Sequence, residues 1–405
     1  METPFDEAKP ILEKLHQSGF EAYFVGGAVR DFLLGREIGD IDIATSAKPE
    51  DIKKLFHKTI DVGAEHGTII VLHQGEQYEV TTYRMETDYE DFRRPNSVQF
   101  ITSLKEDLRR RDFTINAMAM DVKGEIFDYF HGKVHMKQKL IHTVGLPSER
   151  FTEDALRMLR ALRFVSQLNF TLSSETKVAI KNHVQLLDVI SVERKTAEIE
   201  KLLRGDNVKT AINLLIECKV LNYLPGLVGG ERQLKKLSSF RFNFLTSREE
   251  LWTVLTLYIE PSSVDVFLRK WKLSNKLIKS VQKNLYFLDL LLQKLEWTDL
   301  LLYEAGPDTA VSVERIRSIL VHPKTVNANI NRVSSLFEQL PIKTKKQLAI
   351  NGHDLILWLN KEAGPWVSQT MEEVEKAILT KKIENNRLEI KEWLLTCSQN
   401  SDQNY

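Results

Sequence analysis

Two aspartates one residue apart, Asp40 and Asp42 in GDIDIAT, follow closely on a glycine pair, Gly26-Gly27. Each pairing carries a chemistry. Alternate residues of a strand face the same way, so an Asp-x-Asp strand turns two carboxylates to one side. Like charges held that close repel unless a cation lies between them. Hard divalent ions such as Mg²⁺ take oxygen pairs of this kind and complete their shells with phosphate and water. Glycines at a helix start let backbone N–H groups approach a phosphate, where the helix dipole favours an anion. Arg30, one turn into that helix, can reach the same anion. Taken singly, Gly-Gly is a turn, Asp-x-Asp a solvated strand face and Arg30 a surface arginine. Together they point to phosphoryl or nucleotidyl transfer.

These residues need a strand, a glycine turn, a helix and a second strand. AYFV reads as a buried strand, Ala28–Leu34 as a helix, Gly35–Gly39 as a turn and Asp40–Ile43 as an alternating strand. An amphipathic helix is expected at Pro10–Ser18, and a short one at Lys48–Leu55 with Pro49 near its start. Thr59–Val62, Thr68–His73 and Gln77–Thr82 read as strands. Glu79, in the last of these, is either a third carboxylate for the site or a solvated strand residue. Thr87–Ser97 is polar, carries charges of both signs and reads as a mobile loop. Arg109-Arg110-Arg111 precedes a helix start at Asp112-Phe113-Thr114, with Asp or Thr as the cap.

From Phe151 the composition changes. No proline lies between Pro147 and Pro225, and Gly205 is the one glycine of that stretch. A helical region is expected, opening with FTEDALRMLRALRF. Thr152 can cap it, and Glu153 and Asp154 suit its positive end. Asp154, Arg157, Arg160 and Arg163 recur every third residue, so neighbours in the series meet on the helix. A salt-bridged surface accounts for such a row. So does base reading. Cytosine and adenine each present an amino donor beside a ring-nitrogen acceptor, which a carboxylate and a guanidinium match. Uracil and guanine present the reverse order. Further on, Ser191 is placed to cap a helix through Leu203. His353-Asp354 stands alone, without partners at metal-binding spacing, and Ser398–Tyr405 is expected to fray.

GGAVRDFLLGREIGDIDIAT resembles the signature of the polymerase-β-like nucleotidyltransferases. More narrowly it resembles the class II tRNA nucleotidyltransferases, or CCA-adding enzymes, and their relatives the bacterial poly(A) polymerases. RRDFTINAMA, DYFHGK, EDALRMLRALRF and the segment around Ser191 match further motifs in order; His131-Gly132 stands where the family usually has Gly-Gly. The resemblance implies an α+β N-terminal nucleotidyltransferase head, with a mixed β-sheet and helices, followed by all-α neck, body and tail domains. The expected bounds are 1–138, 139–205, 206–300 and 301–405. It implies Mg²⁺ on Asp40 and Asp42, and leaves Glu79 between the two readings given above. Gly27, Arg30 and Arg111 would hold phosphates, Asp154 and Arg157 would read the base, and Arg160 and Arg163 would support base or triphosphate. Asp112, Asn116, Glu153, Ser191, Glu193 and Arg194 would brace that set. The implied reaction adds C, C and A to the tRNA 3′ end from CTP and ATP, with the rear half gripping the acceptor and T arm. The Thr87–Ser97 segment matches a loop implicated in the switch from C to A. CC-adding, A-adding, poly(A)-synthesising and non-catalytic RNA-binding relatives remain alternatives.

Composition sets the outer bounds. A chain of 405 residues predicts two to four domains. Formal net charge is zero, so positive charge for a nucleic acid must be local. Cys218 and Cys397 are far apart, form no metal or disulfide pattern and suit a reducing cytoplasm. The N-terminus lacks a secretory signal, and no apolar run reaches membrane-spanning length. A homodimer is left open.

Overall fold

The computed structural model describes residues 4–90, 94–293 and 296–401. The chain divides into two compact units, Met1–Ser239 with Lys270–Lys272, and Phe240–Arg269 with Leu273–Tyr405. In the first, α1 (Pro4–Gln17) precedes β1 (Ala22–Val25), α2 (Gly27–Leu33), β2 (Asp42–Thr45) and α3 (Pro49–Leu55). Then come β3 (Thr59–Gly63), β4 (Thr68–His73), β5 (Glu76–Thr82), β6 (Arg84–Glu90), β7 (Arg94–Phe100) and α4 (Leu104–Arg109). Two short strands follow, β8 (Ala119–Met120) and β9 (Ile126–Phe127). Seven strands form one sheet in the order β3-β4-β5-β2-β1-β8-β9. It is mixed, because β2 runs parallel to β5 and antiparallel to β1. The register sets Val25 opposite Asp42 and Asp42 opposite Glu79. Val25, Ala44, Leu108 and Ala119 pack into the core beside this point.

Four local readings are corrected. The first helix starts six residues before Pro10, because Phe5 and Ala8 are buried and Phe5 packs on Phe24 at 4.8 Å between ring centroids. Strand β2 begins at Asp42 rather than Asp40. Its partner β1 ends at Val25, where Gly26 turns away at φ 75°, so Asp40 has no ladder to join and is exposed. Thr87–Ser97 is not an irregular loop. Strands β6 and β7 form an antiparallel hairpin from Arg84↔Phe100 to Glu90↔Arg94, with residues 91–93 outside the described residues. The mixed charges hide a segment whose Thr and Tyr content suits strand pairing. The helix expected from Asp112 is a single 3₁₀ turn, Thr114–Asn116.

The rest of the first unit is helical apart from one two-stranded ladder. α5 (Gly132–Lys137) leads to β10 (Leu140–Ile141), α6 (Pro147–Glu153) and α7 (Leu156–Leu168). Next are β11 (Thr171–Leu172), α8 (Ser174–His183), α9 (Val192–Leu203) and α10 (Val208–Glu217). The arginine-rich segment is therefore two helices, not one. Pro147 starts a helix early, and the chain breaks at Asp154, which is extended at φ −140° and ψ 102°. Thr152 lies in the last turn of α6, and its hydroxyl donates to the Ser148 and Glu149 carbonyls at 3.1 and 2.9 Å instead of capping. Ser191 does stand at the N-cap of α9, without a side-chain cap bond.

The second unit contains helices and no strand among the described residues, from Arg248–Ile259 to Arg387–Ser401. Ser247, Ser274 and Thr298 cap three of these helices, each accepting from the N–H three residues on. The His353-Asp354 doublet serves the same purpose: Asp354 and Asn351 form a capping box at Gly352–Leu359. The last helix reaches Ser401, and residues 402–405 of the expected frayed end lie outside the described residues. No helix among the described residues is long and apolar enough to cross a membrane.

Candidate active site

A polar cleft of about 500 Å³ opens in the first unit. Gly26, Gly27 and Arg30 enter it from the β1–α2 turn, and Asp42 from β2. Arg110, Arg111, Asp112 and Asn116 come from the segment after α4. Asp154, Leu156, Arg157, Arg160, Arg163 and Phe164 come from the start and inner face of α7, and Arg194 and Lys201 from α9. The sequence therefore identified most of the wall. Asp40, Glu79, Glu153, Ser191 and Glu193 are not part of it. Glu153 pairs with Arg157, Glu79 adjoins Asp42 on β5, and Glu193 is exposed.

Gly26 is the closest approach of backbone to chemistry. A Cβ there would lie 3.3 Å from Arg111 Nη1 and 3.4 Å from Asp42 Oδ2, at a backbone angle only glycine adopts easily. The turn thus lets a guanidinium and a carboxylate close in on the same face of the chain. The Asp42 carboxyl is pushed up to about 6 by burial, then by Glu79 and Asp40, with Arg111 pulling the other way. Its charged form is short of positive neighbours, as suits a carboxylate that shares a cation. Among the described residues no three His, Cys, Asp or Glu side chains group as a metal site. An ion on this aspartate pair would draw most of its shell from phosphate and water, as magnesium usually does.

Asp112 is the hub. Burial raises its pKa, but Arg160, Asn116 and Arg157 outweigh that and hold the carboxyl well below the usual range. Arg160 Nε donates to Oδ2 at 2.8 Å, while Phe113 N and Asn116 Nδ2 donate to Oδ1 at 2.7 and 3.0 Å. Asn116 Oδ1 in turn accepts from Arg30 Nη1 at 2.6 Å. One buried chain of polar groups therefore joins the glycine-turn helix to α7. Phe164 lies beneath it, with Arg30, Arg160 and Arg163 guanidinium carbons 5.2, 5.6 and 4.2 Å from its ring centre.

At the far wall, Asp154 accepts from Arg194 Nη2 at 2.7 Å and from Leu156 N at 3.1 Å. Arg157 Nη2 donates to the Arg110 carbonyl at 2.9 Å, and Nη1 to Glu153. Arg163 pairs with Glu198 at 2.6 Å. Asp154 and Arg157 are thus each oriented by a separate partner, and both face the cleft.

Comparison with known proteins fits this geometry. Residues 22–142 match the poly(A) polymerase head domain, 169–228 the RNA- and SrmB-binding site of polymerase A, and 244–394 the tRNA nucleotidyltransferase domain 2. The chain is 48% identical to the CCA-adding enzyme of Geobacillus kaustophilus over 404 residues, covering 100% of both. It is 48% identical to that of Bacillus subtilis over 401 residues, 98% of this chain and 100% of the other. The crystal structure of the Bacillus stearothermophilus CCA-adding enzyme in complex with CTP matches with a TM-score of 0.94 at 45% identity, covering 100% of both chains. This chain belongs to the CCA-adding enzymes. A tRNA nucleotidyltransferase complexed with a primer tRNA and an incoming ATP analog matches more distantly, with a TM-score of 0.61 at 27% identity over 81% of this chain and 98% of that one. The α+β head and helical remainder expected from the resemblance are those of this CCA-adding family.

Reading the sequence for CCA-adding motifs missed part of the cleft and of the carboxylates behind it. Asp107, buried beneath Arg110 and Arg111, pairs with both. Glu198, Phe164 and Lys201 were likewise passed over. The spacing of Glu198 and Lys201 from Arg194 on one helix was the available signal, because four and seven residues return to the same face.

Proposed function

We propose that the cleft adds C, C and A in turn to the 3′ end of tRNA from CTP and ATP. The 3′-oxygen of the RNA bonds the α-phosphorus of the nucleotide as the bond to the leaving pyrophosphate breaks. The observation that carries this reading is the gathering of Asp42, Gly27, Arg30 and Arg111 with Asp154 and Arg157 in one cavity. The first four suit a triphosphate, and the last two suit the edge shared by C and A.

In this reading Gly27 leaves room for a phosphate at the α2 N-terminus, and Arg30 and Arg111 hold the triphosphate from two sides. Asp154 accepts from the base amino group while Arg157 donates to the ring nitrogen, so U and G meet mismatched groups. Asp112, Asn116, Glu153 and Arg194 keep those side chains in place, and Ser191 and Glu193 begin the helix that carries Arg194. Asp40 and Asp42, beside Glu79, would hold Mg²⁺, which when bound eases ionisation of the 3′-hydroxyl and offsets phosphate charge. The expected partition into head 1–138, neck 139–205, body 206–300 and tail 301–405 assigns the acceptor and T arm to body and tail, read by shape and backbone. The hairpin of β6 and β7 is the segment whose alteration should change the balance between C and A. The buried thiol of Cys218, raised to about 11 by burial and then by Glu217, fits a reducing cytoplasm.

The test is incorporation of labelled CTP and ATP into tRNA transcripts ending before CCA, after C and after CC, with product lengths resolved on a gel. Extension that completes CCA and stops is expected. Products ending at CC, a lone final A or a long A tail would assign a sister activity. No incorporation would overturn the reading.

A further inference from the structure

The cleft is rich in arginine, yet its arginines are already balanced. Every arginine on its wall has a carboxylate partner, drawn from Asp31, Asp107, Asp112, Glu153, Asp154 and Glu198. Asp42 adds a further negative charge. A polyanion entering this cavity therefore meets guanidiniums whose field is largely cancelled at short range. One cation on the wall differs. Lys201 makes no hydrogen bond or ion pair among the described residues, and it is exposed at the cleft surface.

Its position is not incidental. Arg194, Glu198 and Lys201 stand at intervals of four and three on α9, so they share one helix face. The first is tied to Asp154 and the second to Arg163, both cleft residues. That face is thereby fixed toward the cavity, and it carries Lys201 with it. A lysine on a four-carbon stem acts as a mobile point charge with three donors, suited to a phosphate whose exact place varies between steps.

We propose that Lys201 contacts ligand directly and binds a phosphate group in the cleft, adding an unpaired positive charge to those of the paired arginines. The phosphate comes either from the nucleotide triphosphate or from the RNA backbone near its 3′ end. This rests on the nucleotidyl-transfer reading, and wild-type incorporation must be established first; its absence would defeat that reading and not this one.

Lys201→Gln, Lys201→Glu and Lys201→Arg are compared in the full chain, with CTP, ATP and tRNA titrated separately over a range of salt. Thermal midpoints are expected to stay unchanged, since the side chain is exposed and makes no hydrogen bond or ion pair among the described residues. Removing one charge-assisted phosphate contact should raise one KM about three- to tenfold in the Gln variant. The rise should be larger in Glu and mostly restored in Arg, with kcat little altered. A rise confined to CTP and ATP assigns the triphosphate. A rise confined to tRNA, with a salt slope reduced by about 0.7, assigns the RNA backbone. Unchanged KM values in Gln and Glu would overturn the proposal, as would an Arg variant as impaired as Gln.

Discussion

Among single residues, Asp42 shows the tension between stability and function most plainly. Its folded pKa, about 6, lies above that of an unfolded aspartate, near 3.9. Between those values the folded chain holds more proton than the unfolded one, so stability falls as pH rises from about 4 to 6 and remains lower above. Asp42→Asn removes that charge at nearly constant shape. Without divalent metal it should raise the thermal midpoint at pH 7.5, by up to about 3 kcal/mol of stability, with no difference below about pH 4. It should also abolish turnover. A midpoint unchanged or lowered at pH 7.5 would contradict the electrostatic account. Asp112 is the opposite case. Its depressed pKa means its contribution is present above about pH 4 and is lost in acid. Asp112→Ala leaves Arg160 and Asn116 without their shared acceptor and should cost about 3–5 kcal/mol in denaturant melts at pH 7. A loss below about 1 kcal/mol would mean that the hub is dispensable.

At the scale of elements, α7 and α9 carry much of the cleft wall, and their contact depends on one glycine. A Cβ on Gly205 would stand 2.6 Å from the Ser166 carbonyl carbon and 2.7 Å from its oxygen. Ser166 Oγ donates to the Leu202 carbonyl at 2.7 Å, and Asn207 N to the Ser166 carbonyl at 2.9 Å, so the backbone there cannot simply retreat. Gly205→Ala should destabilise by about 1–3 kcal/mol and raise KM for both nucleotides, since it parts the helix bearing Arg157 from the helix bearing Arg194. Unaltered melting of that variant would show that the contact relaxes freely. The glycine turn and its flanking strands were legible in the sequence because local periodicity and φ preference decide them. The break in the chain at Asp154 was not, because its neighbours on both sides are good helix formers and Arg194 pairs with it from a distant part of the chain. Phe164 was illegible for a related reason. Its place under three guanidiniums depends on Arg30, which comes from the far end of the head. The hairpin was missed because charge obscured its period of two.

For the whole molecule, the notable feature is that the first unit is not one continuous piece of chain. It takes Lys270–Lys272 from beyond the start of the second unit. Trp271 is fully buried, and its carbonyl accepts from Thr196 Oγ1 in α9 at 3.0 Å. Trp271→Ala should therefore speed hydrogen exchange in the α9 amides, while leaving the helix Trp366–Leu379 as protected as before. Equal protection of α9 in both proteins would mean that Trp271 is a bystander to that helix. The discontinuity also bears on biosynthesis. When Ser239 has left the ribosome, every residue lining the cleft has been made, but the buried Trp271 that accepts from Thr196 of α9 has not. About thirty residues of the second unit must be translated first, which takes roughly two to six seconds at bacterial rates. During that interval the nascent first unit lacks its fully buried Trp271 and the backbone acceptor of Thr196 Oγ1. The timing of translation between Phe240 and Trp271, and not only the sequence there, should then influence how much of the chain reaches its folded form.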